Sequence, residues 1–110
     1  RLRHPNAAVP PELVAIIQAM GVAAVAITEK TGVVIATRNT EMALEIERDD
    51  DVMDDLHRKL IAVLIEPTWK HGIETAIDLT LLGRYYERYA DHAVSISRRV
   101  YFLVTGEYAS

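Results

Sequence analysis

Residues 81–107 read LLGRYYERYADHAVSISRRVYFLVTGE, and this stretch decides the fold. It has no proline and no glycine between Gly83 and Gly106, so nothing interrupts a helix before the stop signal at Thr105-Gly106. At about 100° per residue, one side of this helix carries large side chains and the opposite side carries small and acidic ones. Glu87 and Asp91 are four residues apart and share a face, so that both carboxylates can reach one cation.

The second half of this stretch resembles the signature of the PhoU family of phosphate-transport regulators. In that family a helix carries the pattern E-R-x-x-D-x-x-x-x-I-x-x-x-x-x-(Y/F)-x-x-x-G, which is matched here by Glu87, Arg88, Asp91, Ile96, Phe102 and Gly106. PhoU chains are two similar three-helix bundles in tandem. The resemblance therefore implies that this chain is similar to the C-terminal bundle of an actinobacterial-type member.

The segment before the signature predicts a first helix. Its apolar positions follow alternating steps of four and three residues, as in a coiled-coil seam: Leu13, Ile17, Met20, Ala24, Ile27, Thr31 and Val34. Within it, VAAVAIT and GVVIAT flank a turn signal at Glu29-Lys30-Thr31-Gly32, and the pattern across 22–37 is also typical of a β-hairpin. We favour the helix because the chain offers no third strand for an isolated hairpin to pair with.

A second seam with the same spacing predicts the middle helix, with Asn39 as its N-cap. Its positions are Met42, Ile46, Asp49, Met53, Leu56, Leu60 and Val63, and Asp49 alone breaks the apolar pattern. Pro67 ends this helix and Thr68 is expected to cap the third. The sequence thus predicts an all-α, up-down-up antiparallel three-helix bundle, with helices near 11–37, 39–66 and 69–105. The bundle domain spans 11–110, and residues 1–10 are a linker or the end of a preceding helix.

Composition excludes several classes of function. The chain has no cysteine, so a disulfide framework and a thiolate zinc site are impossible. The net charge is -4 and no run of basic residues is longer than two, which argues against nucleic-acid binding. We expect no membrane span, because no uninterrupted apolar stretch approaches ~18 residues. A cytoplasmic location follows as the default, and a start at Arg1 is typical of a piece of a longer protein.

The acidic residues are the candidate site. Residues 49–55 read DDDVMDD, and such a density of like charges is either solvated and screened by nearby basic residues or neutralised by a cation. The family carries an (E/D)-x-x-x-D motif on the middle helix. Asp50 and Asp54 fit it best, although Asp51 and Asp55 form a competing register.

The resemblance implies that Asp50, Asp54, Glu87 and Asp91 bind metal ions, with iron or zinc as the best-attested occupants. Carboxylate ligands without cysteine also suit manganese or magnesium. His57 shares the face of Asp54 and is either a further ligand or a bystander. His92 is expected to be a partly buried bundle residue. If the chain turns at Pro67, Asp54 and Glu87 lie at different heights along the bundle, with a mismatch of about 7 residues, or ~10 Å along the helix axis.

No phosphate-binding glycine loop, nucleophile elbow or zinc-protease motif occurs, so we predict a protein that is not an enzyme. The resemblance implies a cytoplasmic, homodimeric negative regulator of phosphate uptake. Its partners would be the ATPase of a Pst-type ABC transporter and a phosphate-sensing histidine kinase, reached at the inner face of the membrane. Two alternatives are a small helical enzyme similar to chorismate mutase, with arginines in a buried pocket, and a purely structural bundle.

Overall fold

The computed structural model describes residues 11–106, which form three α-helices and no strand. Helix α1 spans Pro11–Thr37, α2 spans Thr40–Leu64 and α3 spans Ile73–Thr105. The predicted all-α three-helix bundle is confirmed, and the alternative hairpin across 22–37 is excluded because α1 is continuous there. The predicted linker at 1–10 lies outside the described residues, as do residues 107–110.

The connections make neighbouring helices antiparallel. Arg38, in the left-handed region at φ 58°, donates its backbone N–H to Val34 O at 2.8 Å and ends α1. Asn39 is the N-cap of α2, as predicted, and its side chain accepts a hydrogen bond from the Met42 backbone N–H at 3.0 Å. The bundle measures 51 × 23 × 17 Å, and each helix packs against the other two.

The core follows the predicted seams closely. The α1 residues of the seam are buried apart from Ile17, which is half-buried. In α2, the seam residues Ile46, Met53 and Leu60 are fully buried. Asp49 is tolerated in this seam because it forms an ion pair with Lys30 of α1, at 2.8 Å between Oδ2 and Nζ. The hydrogen bond that the Lys30 ammonium donates to Asp49 raises the pKa of Lys30, and burial of the ammonium opposes that rise.

Helix α3 turns its small residues toward the core. Its buried residues are Thr75, Leu79, Gly83, Ala90, Ala93, Val94 and Ser97. A Cβ atom at Gly83 would lie 2.5 Å from Leu60 Cδ2, so glycine is what lets α3 approach α2 here. The expectation that His92 is partly buried is wrong: its side chain is exposed, because the large stripe of α3 faces outward.

The connection between α2 and α3 is longer than the sequence indicated. Helix α2 ends at Leu64, and α3 begins at Ile73, not near Trp69 with Thr68 as its cap. The Trp69 indole N–H donates to the Gly72 carbonyl at 2.9 Å, which folds this segment into turns. Gly72 occupies the N-cap position at φ 88°, which favours glycine. At the other end, Gly106 ends α3 at φ 81° as predicted, and its N–H bonds to Phe102 O.

Helix α1 corrects the expectation about membrane spans. It is long and apolar enough to cross a bilayer by length and composition, with a mean hydropathy of 1.7 over its most apolar window. The physical reason is that α1 carries charge only at Glu12, Glu29 and Lys30, so that residues 13–28 form a stretch without a charged side chain. Core helices of bundles pass the same test, and one side of α1 does pack in the core.

Candidate metal centre between α2 and α3

Helices α2 and α3 bring the two acidic motifs to the same level. His57 Nδ1 lies 3.2 Å from Glu87 Oε2, and Arg98 Nε lies 2.9 Å from Glu47 Oε2. On α2, Asp50 and Asp54 lie between Glu47 and His57, and on α3, Asp91 lies between Glu87 and Arg98. The expected offset of about 7 residues is therefore wrong. It assumed a turn at Pro67, whereas the connection over 65–72 delays the start of α3.

Asp50 has the most perturbed electrostatic environment of the acidic motifs. The pKa of Asp50 is raised to about 6 from the ordinary 3.8, first by burial and then by the negative charges of Asp91, Asp54 and Asp51, while Arg98 opposes the rise. The effect of Asp91 shows that the α3 motif is close enough to repel Asp50. A carboxylate that is desolvated among other carboxylates is stabilised by a proton or a cation.

The half-burial of Asp50 and Asp54 distinguishes the two candidate registers. Both side chains are half-buried, whereas Asp51 and Asp55 are exposed. The pair that faces α3 is therefore the pair that fits the family motif best. Arg58 binds Asp54 through Nη2 at 3.1 Å and Asp55 through Nη1 at 2.8 Å, on the exposed surface of α2.

The predicted ligands are close to one another but do not all converge. Within residues 11–106, no three histidine or acidic side chains are placed to hold one metal ion. Two contacts account for this, because Arg58 holds Asp54 and His57 holds Glu87. The pair of Arg58 with Asp54 is largely exposed, and such pairs contribute about 0–1 kcal/mol, so a bound cation can displace it. The donor set of carboxylate oxygens and one imidazole fits a hard or borderline cation.

Two members of the site were not predicted from the sequence. Gly83 makes room for the His57 imidazole, because a Cβ at this position would lie 3.1 Å from His57 Cδ2. The Arg98 guanidinium forms two hydrogen bonds of 2.9 Å to the Glu47 carboxylate, and these bonds raise the pKa of Arg98. The signal for Arg98 was its position seven residues after Asp91, which places both on one face of α3.

Comparison with known proteins shows which family the chain is similar to. The profile described as the PhoU domain matches residues 17–100. The "Phosphate-specific transport system accessory protein PhoU homolog 2" of Mycobacterium tuberculosis is 46% identical over 108 residues, which cover 98% of this chain and 51% of that protein. PhoU homolog 1 of Mycobacterium leprae is 45% identical over 108 residues, or 98% of this chain and 49% of that protein.

A more distant relative comes from an archaeon. PhoU homolog 1 of Methanothermobacter thermautotrophicus is 36% identical over 72 residues, which cover 64% of this chain and 33% of that protein. Comparison with solved structures found no match. The chain spans about half the length of the two mycobacterial relatives. On the match of the domain profile and the mycobacterial identities, the chain belongs to the PhoU family.

Proposed function

We propose that this bundle is a metal-binding regulatory domain of phosphate uptake and that Asp50, Asp54, Glu87 and Asp91 are its metal ligands. The observation that carries the proposal is the acidic cluster between α2 and α3, in which burial and the charge of Asp91 raise the pKa of Asp50. Mutual repulsion of this kind is relieved when a cation neutralises the carboxylates. Iron or zinc is the proposed occupant, with manganese or magnesium as further candidates.

A cation at this place would act mechanically and electrostatically. It would link α2 to α3 and compensate the charge of the acidic cluster, so that the apo and metal-bound bundles differ in stiffness and in surface charge. His57 already lies beside Glu87, and its imidazole could supply a nitrogen ligand next to the proposed carboxylates. Binding to the folded state alone stabilises it in proportion to RT ln(1 + [L]/Kd).

The names of the relatives, which are accessory proteins of the phosphate-specific transport system, support a role in phosphate transport. We propose that the domain acts in the cytoplasm as a homodimer. It would negatively regulate the ATPase of a phosphate ABC transporter and the histidine kinase that senses phosphate. The names fit a protein that regulates other proteins rather than an enzyme.

The structure gives little support to the enzyme alternative. A chorismate-mutase-like site needs arginines directed into a buried pocket, whereas Arg84, Arg88, Arg98 and Arg99 are all exposed. The groove between α1 and α3, which encloses about 880 Å³, has no arginine among its lining residues.

Thermal melting tests the ligands directly. We expect iron, manganese or zinc to raise the melting temperature of the wild type, and Glu87→Ala/Asp91→Ala to abolish that rise. The matched control is Glu74→Ala/Asp78→Ala, which removes two carboxylates with the same spacing from α3 outside the cluster and should keep the wild-type response. A metal-induced rise of equal size in both double variants would show that Glu87 and Asp91 are not ligands.

The same variants test the regulatory part of the proposal. In cells that lack their own homologue, the wild-type chain and the Glu74→Ala/Asp78→Ala control should lower the rate of phosphate uptake, and Glu87→Ala/Asp91→Ala should not. Metal binding without any effect on uptake would restrict the function to metal binding.

A further inference from the structure

The His57 side chain is held in a hollow at the boundary between α2 and α3. It is 18% exposed, and its imidazole lies against the turn of α3 that runs from Gly83 to Glu87. A Cβ atom at Gly83 would lie 3.1 Å from His57 Cδ2 and 3.6 Å from Nε2, so a side chain at this position would crowd the ring. This hollow, which we call the Gly83 cradle, places the Cδ2–Nε2 edge of the ring against α3 and so determines where Nδ1 lies.

The opposite edge of the imidazole faces a carboxylate. Nδ1 lies 3.2 Å from Oε2 of Glu87, whose side chain is 24% exposed. Two ligand atoms that are each ~2.0–2.1 Å from one metal ion stand ~3.3 Å apart in a tetrahedral site and ~2.9 Å apart in an octahedral one. The observed separation falls between these values. One ion can therefore contact both atoms with little movement of either side chain.

Carboxylates of the proposed ligand set flank this pair on both helices. Asp54 lies three residues before His57 on α2, and Asp91 lies four residues after Glu87 on α3, so each shares a face with one member of the pair. The contact of Asp54 with the exposed Arg58 is weak enough for a cation to displace it. The two donors that already lie together thus have oxygen donors within one helical turn on either side.

An imidazole changes which cations such a centre prefers. Oxygen ligands alone suit magnesium, calcium and manganese, whereas imidazole suits zinc and iron. Without His57, the proposed ligands are all carboxylates. We infer that His57 gives this centre its preference for a borderline cation, zinc(II) or iron(II), by binding the ion through Nδ1 together with Glu87. The inference rests on the proposed function and deepens it, because it names the residue that selects among the proposed metals.

A simple ion pair is the alternative interpretation of the contact. A His57 imidazolium beside Glu87 would link α2 to α3 without any metal, and it would make no distinction between cations. The two interpretations therefore differ in one measurable quantity, which is the ratio of the affinities for zinc and for manganese.

Isothermal titration calorimetry on the whole chain, with zinc and with manganese at one pH, tests the inference. The wild type should bind zinc more tightly than manganese. His57→Asn keeps a polar side chain but replaces the nitrogen donor by an amide oxygen. It should weaken zinc binding by about 10-fold or more, since loss of even an outer-shell partner costs about 10–100-fold. Its affinity for manganese should change by less than about 3-fold, because oxygen ligands suit this ion.

His71→Asn is the matched control. It removes one imidazole from the connection between α2 and α3, where His71 packs edge-on against Trp69 and is not a proposed ligand. This variant should bind both metals like the wild type. Circular dichroism should show equal helix content in the three metal-free proteins, so that a change in affinity is not a change in folding.

Nitrogen NMR of protein labelled at histidine gives a second measurement, made on the wild type. Zinc should move the Nδ1 resonance of His57 to the range of a metal-bound nitrogen and leave Nε2 as the N–H, whereas magnesium should leave both resonances unchanged. The spectrum of His57→Asn identifies the signals of this residue among those of the 4 histidines.

Three results would overturn the inference. The first is an equal loss of zinc and manganese affinity in His57→Asn, which would make His57 a structural contact. The second is zinc binding that leaves the His57 nitrogens unchanged. The third is a loss of zinc affinity in His71→Asn as large as that in His57→Asn. A wild type that binds neither metal would overturn the proposed function as well. Metal binding that is lost in Glu87→Ala/Asp91→Ala but unchanged in His57→Asn would contradict the role of His57 alone.

Discussion

The two grooves that run along α3 differ in every respect except their position beside the core. The groove shared with α2 is lined by Glu47, Asp50, Asp54 and His57, which are the positions one residue after the core seam of α2. The groove shared with α1 is lined by the corresponding positions of α1, which are Gln18, Gly21, Val25 and Thr28 and carry no charge. Both helices supply the same kind of core seam. The difference teaches that the core seams determine the bundle, whereas the adjoining seams give its two grooves their different charge and polarity.

The comparison would fail if the two seams of α1 contributed equally to the free energy of unfolding of the bundle. Ile27 lies in the core seam and is 0% exposed, whereas Val25 lies in the outer seam, by which we mean the α1 positions one residue after the core seam, and is 59% exposed. Ile27→Ala should lower the free energy of unfolding by about 2–5 kcal/mol, because it removes apolar area and leaves a cavity. Val25→Ala should change it by about 0.5 kcal/mol or less. Urea unfolding of the wild type and of both variants provides the measurement.

Equal losses in these two variants would mean that the outer seam is packed within one bundle. The apolar groove would then be part of the core, and the distinction between the two grooves would fail. Met53→Ala in α2 is the control for Ile27→Ala, since Met53 is also 0% exposed and should cost a similar amount.

The contribution of Asp50 to stability should depend on pH, and this dependence tests the acidic groove. The pKa of Asp50 in the native state is about 6, above the unfolded value of 3.8. At a pH between these two values, the native state therefore binds a proton at Asp50 that the unfolded state has largely lost. Stability contributed by this group therefore falls as the pH rises through that window. Asp50→Asn should stabilise the apo bundle at pH 7 by about 1–2 kcal/mol, after allowance for screening by solvent. The difference from the wild type should vanish near pH 4.

The measurement is urea unfolding from pH 4 to pH 8 in the presence of a chelator, so that bound metal does not mask the repulsion. Asp51→Asn serves as the control, because Asp51 is exposed beside the same cluster. If Asp50→Asn has no effect at pH 7, or if its effect does not depend on pH, then Asp50 is not desolvated among the other carboxylates.

Features encoded by local sequence were predicted well. The bounds of α1, the Asn39 cap and the Gly106 stop follow from periodicity and from the conformational preferences of single residues. The core seams follow from the same periodicity. The exception at Asp49 is also visible in the sequence, because Asp49 is the one polar residue among the seam positions of α2. The motif pairs on α2 and α3 were chosen from their spacing of four residues together with the resemblance to the family, and their role as metal ligands stays a prediction.

Features that depend on contacts distant in sequence were not predicted. The start of α3 at Ile73 depends on the hydrogen bond from Trp69 to the Gly72 carbonyl, whereas propensity alone places the start near Thr68. That shift sets the register of α3 against α2 and so the pairing of His57 with Glu87. The prediction that His92 is partly buried failed for a related reason. Close packing at Gly83 places the side of α3 with small side chains in the core and leaves His92 exposed.

The smallest expected effect concerns the rim of the acidic groove. Arg98 binds both oxygens of Glu47 and opposes the rise in the pKa of Asp50, so Arg98→Gln removes an ion pair and some compensation of the cluster. The pair is partly exposed, and we expect a loss of about 0.5–1 kcal/mol at low ionic strength. At 1 M salt the loss should shrink, because charges are screened over about 3 Å. Arg99→Gln, at the exposed neighbouring position, should change stability by less than about 0.5 kcal/mol. Urea unfolding at both salt concentrations tests this. The loss of stability in Arg98→Gln could be no larger than in Arg99→Gln, or it could be unaffected by salt. Either result would show that Arg98 does not stabilise the acidic groove electrostatically.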